Sequence, residues 1–137
     1  MDIQIKDVNV LAGLMGRKCH PMLITVACWI AEHYGLFMTE SYRNPYHPGD
    51  LHAMEPLRAI DLRHRFYNDP EAVAKAVNEK FQYDPGRPGK LVAFVHKNRN
   101  SKGIHFHIQV HDNTVEIDDK KDHTGAGIEP ALSVGDG

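Results

Sequence analysis

The chain is poor in cysteine. It has two, Cys19 and Cys28, which form no CxxC pair, and Cys28 falls inside a helical pattern where a small thiol packs much as an apolar residue does. Both read as packing residues. A long hydrophobic run is also missing: nothing approaches the roughly 20 apolar residues needed to cross a bilayer. No early segment joins basic residues, an apolar stretch and a small-residue cleavage site. The expectation is a soluble protein made in the cytoplasm, without a membrane partner and reaching any outside target by some route other than its own leader. Nor does one sign of charge dominate, with 16 Lys and Arg against 18 Asp and Glu and a formal net charge of −2. That balance offers no electrostatic reason to expect nucleic acid or an anionic surface. No internal repeat is visible.

What the chain does have is histidine, ten in 137 residues. That length suits one domain with one core, and the enrichment points toward metal or proton-transfer chemistry, although scattered surface histidines account for many such counts. Two of the ten lie in GIHFHIQVH, Gly103 to His111. A strand alternates its side chains, so Ile104, Phe106, Ile108 and Val110 share one face, and His105, His107, Gln109 and His111 the other. The first face is core. The second is either a polar solvent face or, because neutral imidazole is the commonest metal ligand, the base of a metal site.

The other elements follow from local signals. The first twenty residues suit a short strand or a helix. Pro21 then opens a helix, with Leu23, Val26, Ala27, Ile30 and Tyr34 at helical spacing, Trp29 in a packing role and Gly35 as the stop. Leu36 starts a strand that delivers Arg43 to a loop rich in Pro, Gly, Asn and Asp, where His47 and His52 also lie. Leu57 to Phe66 reads as a strand with Asp61 at its centre, and a mid-strand carboxylate needs a partner. Asp69, Pro70 and Glu71 mark a helix start, and Val73, Val77 and Phe81 its buried stripe. Lys90 to His96 reads as a strand joined by the polar segment 97–103 to the histidine strand, as a hairpin. The expected organisation is one domain over residues 1–115 and a poorly structured tail over 116–137.

Catalytic zinc takes three ligands from His, Asp and Glu and leaves a fourth position for water. The chain offers His52, Asp61 and one histidine of the HxH pair. Together with TESYR, the stretch AIDL and the closing HxH strand, this order resembles the zinc D-Ala-D-Ala carboxypeptidase and Hedgehog-type family of peptidoglycan peptidases. The resemblance runs from the Pro21 helix to His111. It implies an α+β fold in which a small antiparallel sheet carries the zinc and helices flank it.

The resemblance further implies one Zn(II) per chain on His52, Asp61 and His107, with Ala59 in the family's place two residues before the aspartate. Arg43 would hold the scissile carbonyl or its oxyanion, and His105 would lie beside the metal-activated water. The implied substrate is a peptidoglycan peptide, cut by a monomer that is phage-encoded or recycles muropeptides in the cytoplasm. The sequence departs from the family pattern twice. HAMEPLRAID is longer than the usual His-to-Asp spacing, which implies a small insertion or bulge around Glu55 and Pro56. Ile104 replaces the acid found three residues before the last histidine, so proton transfer falls to His105 or, next, His96. Two other readings stay open: a zinc-containing binding domain of the same fold without activity, and an HUH-type single-strand nuclease. The second lacks a tyrosine after its histidines, since all five tyrosines precede His105.

Overall fold

The ambiguous N-terminal pattern resolves into two elements because Asp7 interrupts it. Strand β1 (Ile3–Ile5) stops short of it, and helix α1 (Val8–Met15) begins with the Asp7 carboxylate accepting from the amides of Asn9 (3.0 Å) and Val10 (3.1 Å). Those first amides have no partner within the helix, so the cap supplies one. Helix α2 (Pro21–Tyr34) is capped by His20, whose Nδ1 accepts from the Met22 amide at 3.1 Å. It ends at Gly35, where φ is +82° and a Cβ would come within 3.1 Å of the Phe66 ring, so this position favours glycine on both counts. The computed structural model describes residues 1–97 and 103–117.

The remaining elements are strand β2 (Leu36–Glu40), strand β3 (Ala59–Leu62), helix α3 (Pro70–Lys80) and strands β4 (Phe81–Gln82), β5 (Ala93–Lys97), β6 (Ile104–Gln109) and β7 (Val115–Glu116). The fold is α+β. Five strands form a mixed sheet in the order β1-β2-β3-β6-β5, parallel between β1 and β2 and antiparallel elsewhere, while β4 and β7 pair separately. Ile60 lies opposite Ile108 and Leu62 opposite Phe106. All four join Leu23, Val26 and Ile30 of α2 and Val73 and Val77 of α3 in one buried cluster. The helices therefore cover this face of the sheet, and the alternate residues of β3, β5 and β6 point to the other.

Several elements differ from their sequence patterns. The strand expected over Leu57 to Phe66 is reduced to Ala59–Leu62. Leu57 is drawn away to the Lys18–His20 segment, donating to Lys18 O at 2.7 Å and accepting from the His20 amide at 2.9 Å. Residues His64–Phe66 wind into a single 3-10 turn that sets Phe66 against Phe37. The strand expected from Lys90 starts at Ala93, because a turn holds the Lys90 amide on Arg87 O at 3.0 Å. Cys28 and Tyr34 are exposed where the pattern placed them inward. Trp29 packs edge-on against Phe81 at the end of α3. Pairing continues through Ile117, whose amide donates to Lys80 O at 2.8 Å. The tail beyond it and the hairpin connection at 98–102 lie outside the described residues. Among the described residues, no helix is long and apolar enough to cross a membrane.

Candidate metal centre

The antiparallel register of β3 and β6 sets Asp61 directly opposite His107 on the uncovered face. His52 arrives from the loop after β2, on a single 3-10 turn (Leu51–Ala53) whose cap, Asp50, accepts from the His52 amide at 3.1 Å. The segment then departs through Met54 to Pro56, where the Glu55–Pro56 bond is cis and Glu55 Oε2 accepts from the Lys18 amide at 3.0 Å. The stretch between His52 and Asp61 thus forms a loop that leans on Lys18. His52 and Asp61 are 1% and 4% exposed. Asp61 Oδ1 lies 3.2 Å from His52 Nε2 and 3.0 Å from His107 Nδ1. His52, Asp61 and His107 thus form a group that could hold a metal ion, with their ligand atoms all within 4.8 Å of one another.

The outer atoms of the two imidazoles decide what the inner atoms can do. His52 Nδ1 is 2.8 Å from the Ser41 carbonyl oxygen, which can only accept, so Nδ1 carries a hydrogen and Nε2 has a lone pair in the neutral ring. His107 Nε2 is 3.1 Å from Gln109 Oε1, so the hydrogen of that ring lies on Nε2 and the lone pair on Nδ1. Two lone pairs therefore face a carboxylate oxygen. Such a cluster needs positive charge at its centre, either a proton on each ring or one divalent cation. Ligands about 2.0–2.2 Å from a tetrahedral metal stand about 3.4 Å apart, close to the separations from Asp61 Oδ1. The donor set fits a metal.

Burial drives the Asp61 carboxyl up, but hydrogen bonds from His107 and His52, and the charge of both rings when protonated, outweigh it and hold the carboxyl well below the usual carboxylate range. The cluster lies in an open cleft of about 910 Å³ that also presents Glu40, Arg43, Tyr46, Phe94, His96 and His105. Arg43 is gripped along one edge by Asp50, with Nε and Nη2 each 3.2 Å from a carboxylate oxygen, and lies over the Tyr46 ring at 4.1 Å. Its remaining nitrogen, Nη1, points toward the centre, 3.9 Å from Asp61 Oδ2 and 3.5 Å from Glu40 Oε2.

His105 sits beside the group. Its Nδ1 is 3.8 Å from Asp61 Oδ2 and, among the described residues, its buried Nε2 has no hydrogen-bond partner. His96 pairs across the strands with His105, at 5.6 Å between ring centroids, and is exposed. His47 lines the rim and its Nδ1 is turned to Pro48 O at 2.9 Å. His111 leaves the face altogether, beyond the end of β6 and against Tyr83.

No protein-family model matches this chain, and neither does any curated protein or solved structure. The functional reading therefore stands on the geometry of the site and on the order of its residues.

Three contributors escaped the sequence pattern. Asp50 organises Arg43, His52 and the Tyr46 amide at once, and burial, which raises its carboxyl, is outweighed by the Tyr46 and His52 amides and by Arg43, so that it titrates below the ordinary range. Its signal is a capping aspartate in PGDLH two residues before a candidate ligand. Gln109 was visible only as one polar residue on the histidine face. The Ser41 carbonyl has no side-chain signal at all.

Proposed function

We propose that this chain is a zinc-dependent peptidase that hydrolyses a peptide bond in the stem peptides of bacterial cell wall, with one Zn(II) held by His52, Asp61 and His107. The observation that carries the reading is the convergence of two imidazole lone pairs and a carboxylate at the floor of an open cleft, each ring braced from behind. The order of TESYR, His52, AIDL and the HxH strand supports the family and substrate class by resemblance. When bound, zinc supplies Lewis acidity and lowers the pKa of a water in its open position.

The protein's own groups would then divide the work. Arg43, immobilised by Asp50, offers Nη1 to the oxygen of the scissile carbonyl as negative charge develops there. His105 lies within reach of the same point and carries the proton to the leaving amine, a task for which an imidazole is suited near neutral pH. The open cleft admits an extended peptide, and Phe94 and Tyr46 give it apolar walls.

Metal analysis of protein purified without a histidine tag should find one zinc per chain, and the double variant His52→Ala, Asp61→Ala should hold none. Incubation with purified muropeptides should release a fragment of defined mass. Full zinc in the double variant would rule out this site. Release of nothing from any wall type by the zinc-loaded protein would instead favour a zinc-containing binding domain.

A further inference from the structure

Gln109 lies two residues beyond His107 on the same face of β6 and is buried, 7% exposed. Its amide nitrogen donates to the Leu91 carbonyl oxygen at 2.8 Å. Because that oxygen cannot donate, the amide has one sensible orientation, and its Oε1 must be the atom facing His107 Nε2 at 3.1 Å. A backbone carbonyl ahead of β5 thus dictates where the hydrogen of a ring on β6 resides. Phe94, opposite His107 in the register, packs on that ring at 4.9 Å between centroids and limits its rotation.

We infer that Gln109 is a positioning residue that locks His107 in its Nε2–H tautomer and so keeps Nδ1 available for the metal. The inference rests on the metal reading above. Without an acceptor at Nε2, the neutral ring gains by moving its hydrogen to Nδ1, where it can donate to Asp61 Oδ1 at 3.0 Å. A ring in that state cannot ligate through Nδ1. Second-layer partners of ligating histidines typically change metal affinity by about 10–100-fold, and Gln109 holds that place for His107 as the Ser41 carbonyl does for His52.

Gln109→Met and Gln109→Glu together separate the lock from mere packing. Both variants lose the donor to Leu91, and only Gln109→Glu keeps an acceptor for His107. Zinc affinity, measured by competition with a chromophoric chelator, should fall about 10–100-fold in Gln109→Met and be largely retained in Gln109→Glu. Nitrogen NMR of the zinc-loaded chain should show His107 bound through Nδ1 with its hydrogen on Nε2 in the wild type and in Gln109→Glu, while both variants keep a similar thermal midpoint. Wild-type affinity in Gln109→Met would overturn the role of Gln109 while leaving the metal site intact. A wild type that takes up no zinc would overturn the metal reading itself, and with it the purpose of the lock.

Discussion

His105 and His107 are the same residue type two positions apart on one strand face, yet they sit in different chemistry. His107 has both nitrogens engaged, with Asp61 and Gln109, whereas the buried Nε2 of His105 has no partner among the described residues. The nitrogen of His105 that faces the candidate centre is Nδ1, 3.8 Å from Asp61 Oδ2, and a ring not tied at both ends can exchange a proton there; His107, tied at both ends, cannot. General acid–base catalysis contributes about two to four decades in rate, so His105→Ala should lower turnover of a cleaved muropeptide by that order, with zinc content and fold unchanged. His107→Ala should lose metal and activity together. Should His105→Ala empty the site while His107→Ala leaves it filled, the two roles are reversed. The difference between the two histidines was only half legible in the sequence: alternation placed both on one face, but nothing local said that Gln109 would be pinned by Leu91.

Among the elements, α3 does more than cover the sheet. Asn78, on its third-last position before the helix gives way to β4, clamps the start of β5: its Oδ1 accepts from the Val92 and Ala93 amides, each at 3.0 Å, and its Nδ2 donates to Ala93 O at 2.7 Å. Three backbone groups that precede or begin an edge strand are satisfied by one side chain. The clamp also fixes the strand that carries Phe94 and His96 into the cleft. Asn78→Ala leaves those groups without their partner, and a lost partner for a buried polar group costs about 1–3 kcal/mol. Urea unfolding should show a loss of that size, and an unchanged midpoint would mean that water replaces the amide at no cost. The boundaries of α3 were readable from Asp69 and Pro70, since caps act over a few residues. Asn78 gave no such signal, because its partners lie about fifteen residues away.

For the molecule as a whole, Tyr67 ties three regions together. Its hydroxyl donates to Gly35 O at 2.9 Å at the end of α2, and its ring packs edge-on against Phe66 in the adjoining turn and Phe106 on β6. Burial pushes the phenol up to about 12, because a buried phenolate would lose solvation and could no longer donate to a carbonyl. The folded state therefore holds this proton more tightly than the unfolded state, where it leaves near pH 10. The stabilisation is complete below about pH 10 and is lost as pH rises through about 12. Measured against Tyr67→Phe, which has no proton to lose, the wild type should keep a constant stability difference up to roughly pH 9.5 and lose ground steadily above about pH 10. A difference that stays flat to pH 11 would show that the hydroxyl is not held as the geometry describes.

By itself the sequence determined what depends on neighbours in the chain. The alternation of Ile104 to Val110 and the helix signals at Pro21, Gly35 and Asp69 follow from periodicity and local hydrogen bonding, while the α+β class was implied by resemblance and is the fold observed. The residues left either histidine of the HxH pair open, the family resemblance implied His107, and the fold brings His52, Asp61 and His107 together. The tertiary structure decided the rest: the register that sets Asp61 opposite His107, the nitrogen that each ring turns inward, the capture of Arg43 by Asp50, and the early departure of Leu57 toward Cys19. Each of these is a hydrogen bond or pairing whose geometry is set by how separate elements come to rest against one another. No pattern within a single segment specifies it.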